Sequence, residues 1–206
     1  MPVTQQQVAK RTGPGRPREF DVEAALDRAI QVFRERGYHA ASIGDLCAAM
    51  QLTTGSLYKA FPDKRAIFLA AFDRYIDRRH ARLQPRVDAE HNGFDKIRAL
   101  LRYYAETSYG SEGKQGCLVV GSAVELSTLD AAAAARVTAA LRQFETLLRG
   151  LIRLGQADGS VPARIDAKAT ARTLLCILQG MRVIGKAGRI RVEILSTVEP
   201  ALQLLV

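Results

Sequence analysis

Ser42 to Lys64, SIGDLCAAMQLTTGSLYKAFPDK, holds two short apolar-periodic runs on either side of a break, and few architectures accommodate that spacing. Ser42 followed three residues later by Asp45 has the spacing of a capping box and predicts the start of a short helix. Ile43, Leu46, Cys47 and Met50 recur at three- and four-residue steps and form one buried stripe. Gln51, Leu52 and Thr53 make a turn, and Thr54, Gly55 and Ser56 open a second helix that carries Leu57, Tyr58 and Phe61. Pro62 ends it, because proline lacks an amide hydrogen and disfavours a helical residue before it.

Two short helices across a tight turn make a helix-turn-helix unit. The outward positions Thr53, Thr54, Ser56, Tyr58 and Lys59 supply hydroxyls, a phenol and a cation, groups suited to phosphate oxygens and base edges. Gly55, without a side chain, lets the backbone approach a duplex closely. The same pattern read alone also fits an αα-hairpin with a merely solvated outer face.

The run Thr54-Gly55-Ser56-Leu57-Tyr58-Lys59, with Phe61 and Lys64 following, resembles the signature of the tetracycline-repressor (TetR) family of bacterial one-component regulators. A helix near Asp21 to Arg36, then Gly37-Tyr38, then Ser42-Ile43, agrees with it. The signature covers about the first third of the chain; the rest resembles the family in length and all-helical character. The resemblance implies an all-α chain: an N-terminal three-helix helix-turn-helix domain and a C-terminal helical ligand-binding and dimerisation domain. It also implies a homodimeric regulator, a repressor by preference, on a pseudo-palindromic double-stranded operator, responding to a small-molecule effector or an electrophile. DNA contacts are expected from Ser42, Thr53, Thr54, Gly55, Ser56, Tyr58, Lys59 and Lys64.

Charge placement agrees better than total charge. The chain carries +9, yet residues 1–18 alone, a basic arm, hold Lys10, Arg11, Arg16 and Arg18 with no acid. Residues 19–64, the proposed DNA-binding domain, carry more acids than bases, and residues 65–206 form the regulatory and dimerisation domain. The Arg16-Pro17-Arg18 core resembles an AT-hook. Arg16 and Arg18 can lie in a narrow minor groove, where negative potential is strongest; the alternative is a solvated tail.

From Asp21, an N-cap, Val22, Ala25, Leu26, Ala29, Ile30 and Phe33 share one helical face, and Gly37 is expected to stop the helix. Asp63 caps a long helix to about Leu83, and Pro85 begins a loop through Gly93. Arg74, Arg78 and Arg82 read as a solvated stripe. Residues 110–116 read as a flexible glycine-rich loop, without the spacing of a nucleotide-binding motif. Residues 166–186 and 191–205 form two last helices so apolar that they must be buried. One wide intrachain core would serve; we read them instead as half of a four-helix dimer bundle through Leu174, Leu178, Leu195, Val198, Leu202 and Leu205. Pro200 interrupts the second helix.

Other classes find little support. The three histidines are scattered and no nucleophile elbow or His-Glu-x-x-His occurs, so no catalytic residue, metal or cofactor is expected. Asp73, Asp77 and His80 share a helical face but are flanked by arginines. A helical adaptor that binds only protein is the remaining rival. No apolar run reaches the ~18 residues of a membrane span, the first residues lack the apolar core of a secretory segment, and three distant cysteines suit a reduced cytoplasm. For the signal, Cys117 follows the glycine-rich segment at a helix start with Lys114 nearby, which favours thiolate; it is either a sensor or simple packing. In the second case an apolar effector would sit among Phe72, Tyr103, Tyr104, Phe144 and Met181.

Overall fold

A computed structural model describes residues 20–206. The arm with Arg16 and Arg18 lies outside the described residues. Among the described residues every regular element is helical. Asp21 accepts from the amides of Glu23 and Ala24 at 2.9 and 3.1 Å and starts α1 (Val22–Ala40). Ser42 and Asp45 close the expected capping box on α2 (Ile43–Met50). Thr53 caps α3 (Thr54–Ala60), and Asp63 caps α4 (Lys64–Asp88). Then come α5 (Gly93–Glu106), α6 (Gly110–Gln115), α7 (Leu118–Glu125) and α8 (Ala131–Asp158), the last started by Asp130. Asp166 starts α9 (Ala167–Lys186), and α10 (Arg191–Leu195), α11 (Val198–Leu202) and a 3-10 turn at Gln203–Leu205 finish the chain.

Four local expectations change. Gly37 (φ 80°) kinks α1 rather than ending it, because partners outside the helix hold one further turn to Ala40. Pro85 lies inside α4: its last turn is held by burial of Leu83 and Val87, and Lys96 Nζ donates to the Val87 carbonyl at 2.8 Å. Residues 110–115 are helical rather than a loop; Gly113 lies where a Cβ would fall 2.5 Å from the Ser108 carbonyl carbon, a close approach that seats α6. The last helix is broken at Ser196–Thr197, four residues before Pro200, which cannot donate back to the Ser196 carbonyl.

Two apolar cores follow. The first joins α1, α2, α3 and the first half of α4, with Leu46, Leu57 and Ile67 fully buried, and extends into Cys117, Leu118, Val119 and Leu126 of the α7 region and Ala133 and Val137 of α8. The helix-turn-helix head is therefore packed directly on the regulatory part. The second core joins the end of α4 to α5, α8, α9, α10 and α11. Leu174, Leu178, Val198, Leu202 and Leu205 belong to it, each at most 3% exposed. Their assignment to a dimer interface is corrected: α10 and α11 fold back on α5 and bury these side chains within the chain. Leu195 is half-buried against the same core. Gly185 also works inside the chain, where a Cβ would fall 1.8 Å from the Ser108 carbonyl oxygen.

Candidate nucleic-acid interface and signal centre

Burial of Leu57 and Phe61 fixes the inward face of α3, and its helical turn then directs Thr54, Gly55, Tyr58 and Lys59 to solvent. Tyr58 is 48% exposed, high for a large aromatic side chain. Thr53 Oγ1 accepts from the Ser56 amide at 3.2 Å and donates to Ser56 Oγ at 3.0 Å, so both hydroxyls are pre-positioned at the leading end. A Cβ on Gly55 would meet nothing within 4 Å; the space it leaves open lies outside the protein. Ser42 Oγ accepts from the Asp45 amide at 3.1 Å and donates to its carboxylate at 2.7 Å, at an exposed α2 N-terminus.

Lys64, expected at phosphate, is engaged within the protein here. Its Nζ donates to the carbonyls of Tyr38 and Ala41, each at 2.9 Å, and sits 4.5 Å from the Tyr38 ring centroid. The ammonium closes the end of α1, whose last carbonyls have no helical partner. Glu125 completes that end from the other side, accepting from the amides of Tyr38 and His39 at 2.9 and 2.6 Å.

Further ties cross the same seam. Arg34 of α1 donates to the Gly116 carbonyl, Gln115 Oε1 and the Glu112 carbonyl at 2.8 to 3.0 Å. Lys186 of α9 donates to the Arg34 carbonyl at 2.8 Å. The arginine stripe of α4 is engaged too: Arg74 and Arg78 pair with Asp27 of α1, and Arg82 with Glu112 of α6. Arg65 of α4 pairs with Asp130, which holds that carboxyl down to about 2.

Behind the seam lies a buried polar centre. Cys117 is 6% exposed and begins α7. Arg79 Nη1 donates to its sulfur and to the Tyr75 hydroxyl, both at 3.2 Å. Burial opposes ionisation of the thiol, but the charges of Arg79 and Arg182 and a hydrogen bond with Tyr75 bring it down to about 7. Lys114 is exposed on α6; the cations beside Cys117 come from α4 and α9. Tyr104 lies 4.6 and 4.7 Å from the Arg79 and Arg182 guanidinium carbons.

Of the expected effector residues, Tyr103, Tyr104 and Phe144 meet in one cleft, together with Ile76, Arg79 and Leu83. Phe72 is not among them, because it is buried in the first core, and Met181 fills the second. Arg79, Arg182, Arg34 and Glu125 were not picked out from sequence. Arg182 alone left a trace, a lone charge on the apolar stripe of α9 between Leu178 and Gly185.

An all-helical chain with an exposed helix-turn-helix face on a head packed against a second helical core has the build of a DNA-binding transcriptional regulator. The chain belongs to the TetR family: residues 25–71 match the model for bacterial regulatory proteins of the tetR family, and residues 93–189 the tetracyclin repressor-like C-terminal domain. It is 32% identical over 177 residues to the HTH-type transcriptional repressor ComR of Escherichia coli K12, covering 84% of this chain and 83% of that one. It is 30% identical to the HTH-type regulator YezE of Bacillus subtilis, covering 78% and 83%. Among solved structures, a cysteine mutant of the TetR-family regulator CifR, complexed with 26-bp double-strand operator DNA, is 32% identical with a TM-score of 0.84, covering 93% of this chain and 100% of that one. The fold and the relatives are those of transcriptional regulators, not enzymes.

Proposed function

We propose that the chain is a homodimeric transcriptional repressor that reads a pseudo-palindromic operator with α3 and releases it when Cys117 is modified. The observation that carries the DNA reading is the outward face of α3, with Thr54, Gly55, Tyr58 and Lys59 exposed while Leu57 and Phe61 are buried in the head. Thr53, Ser56 and Ser42 add hydroxyls and helix-start amides for phosphate, and Arg16 and Arg18 enter the adjoining minor groove. The repressor activity printed for ComR and the operator complex of CifR support the same reading.

The dimer surface we infer is the outer side of α8 and α9, where Leu154 (41% exposed), Val183 (53%) and exposed Cys176 lie beside Gly150 and Gly180, whose Cα positions are open. Two such pairs form a four-helix bundle and set two recognition helices about one DNA turn apart. For the signal, the Cys117–Arg79 contact favours a thiolate that reacts with an electrophile or oxidant over an apolar effector held without a bond.

The test begins with genomic fragments selected by the purified protein and assayed by electrophoretic shift. Tight, salt-dependent binding to a pseudo-palindrome is expected. Absence of any shift at low salt sinks the DNA reading. Diamide or a quinone should then release DNA from the native protein and leave the Cys117→Ser complex intact; equal release from both would remove Cys117 from the signal path.

A further inference from the structure

We propose that the polar cleft where α1, α4 and α6 meet α9 is a binding site for a small oxyanion, phosphate or an organic carboxylate, held by Arg79 and Arg182. The cleft has a volume of about 220 Å³. Five arginines line it, from positions 34, 78, 79, 82 and 182, against two carboxylates, Asp27 and Glu112. Both carboxylates are already engaged at the rim, Asp27 by Arg74 and Arg78 and Glu112 by Arg82. Arg34 has a protein acceptor for each guanidinium nitrogen.

Arg79 and Arg182 stand apart from this pairing. Arg182 is 4% exposed; its two terminal nitrogens donate to the Thr107 carbonyl and hydroxyl, while its Nε is buried with no partner among the described residues. Arg79 shares Nη1 between Tyr75 and Cys117, and its Nη2 is likewise buried and unpartnered among the described residues. Neither makes an ion pair with a carboxylate among the described residues.

A buried guanidinium without a counter-charge is unfavourable. The neighbours cannot supply two. Burial raises the hydroxyl pKa of both Tyr75 and Tyr104, the latter to about 12, so the phenols stay neutral near pH 7. Cys117 offers at most one negative charge for two cations. An oxyanion has the acceptor geometry that guanidinium N–H groups match, and in the cleft its charge would balance the two guanidinium groups that line it. It would link α4 of the connecting helix to α9 beneath Arg34 of the DNA-binding head. It would also compete with the Cys117 thiolate for the same positive charge.

The full-length protein is titrated with phosphate, sulfate and acetate at ionic strength held constant with chloride. Two readouts need no DNA, so the outcome is separate from that of the operator reading. Melting temperature should rise with the logarithm of anion concentration above Kd, by roughly 5–10 °C at a hundredfold excess, and the midpoint of thiolate absorbance should move to higher pH. A response to phosphate and sulfate alone assigns a tetrahedral oxyanion; a response to acetate assigns a carboxylate. Arg182→Gln should abolish both effects, whereas Arg102→Gln, exposed elsewhere on α5, should retain them. Should Arg182→Gln fail to fold, Arg82→Gln on the exposed rim should weaken binding severalfold. No stabilisation by any of the three anions, an equal response in Arg182→Gln, or a thiol midpoint that does not move would overturn the site.

Discussion

Lys64 and Lys59 lie five residues apart near one edge of the molecule, yet their surroundings give them opposite roles. Lys64 Nζ holds the Tyr38 and Ala41 carbonyls, so Lys64→Ala should lower stability by about 1.5–3 kcal/mol, the range for hydrogen bonds to charged groups, in denaturant unfolding. Lys59 has no such partner among the described residues and is exposed on α3. Lys59→Ala should leave unfolding unchanged and flatten the salt dependence of DNA binding by about 0.9 in log-log slope, one phosphate contact. Exchange of these two outcomes would mean that the DNA-facing edge is misplaced. Cys117 carries a second residue-scale expectation. Its folded pKa of about 7 lies below the unfolded value of 9.0. A depressed acid of this kind contributes stability that is fully present above pH 9 and is lost as pH falls towards 7. Native protein should therefore lose stability relative to Cys117→Ser over that window, and alkylation by iodoacetamide should accelerate through pH 7. A midpoint near the unfolded value of 9.0 would contradict the arginine contact.

Among elements, the short turn after the Gly37 kink is the mechanical link between head and core. Two backbone amides there, of Tyr38 and His39, depend on one carboxylate from the end of α7. Glu125→Ala should cost about 1–3 kcal/mol by orphaning them, and hydrogen exchange at those two amides should accelerate before the rest of α1. Uniform acceleration along α1 would instead show that head and core open together. The helix starts at Asp21, Ser42 and Asp63 were legible in sequence because a cap is local chemistry: each accepts from amides two or three residues ahead. The exceptions were set by partners distant in the chain. Pro85 stays helical because the second core holds Leu83 and Val87, and α6 forms because Arg34 and Ser108 receive it. The recognition face was readable from a contiguous run, whereas the buried centre combines Arg79 of α4, Cys117 before α7 and Arg182 of α9, which no local spacing connects.

At the scale of the molecule, apolar content alone did not distinguish a core within one chain from a surface between two. The stripes on α9 and the C-terminal segment were dense enough to require burial, and α5 supplies it internally. The outer sides of α8 and α9 leave a different set exposed, Leu154, Cys176, Val183 and Ile184, with the open glycines Gly150 and Gly180. This separation gives a paired prediction. Leu154→Glu with Val183→Glu places two charges per chain on the outer side, where a folded monomer can solvate them but a dimer bundle cannot. Sedimentation should find a monomer with helicity preserved, and operator affinity should fall because two half-site contacts are no longer coupled. Leu202→Glu puts one carboxylate into the second core, where the side chain is 2% exposed, and should unfold the chain rather than split it. A dimer that survives the double substitution, or a folded monomer from Leu202→Glu, would return the interface to the C-terminal helices.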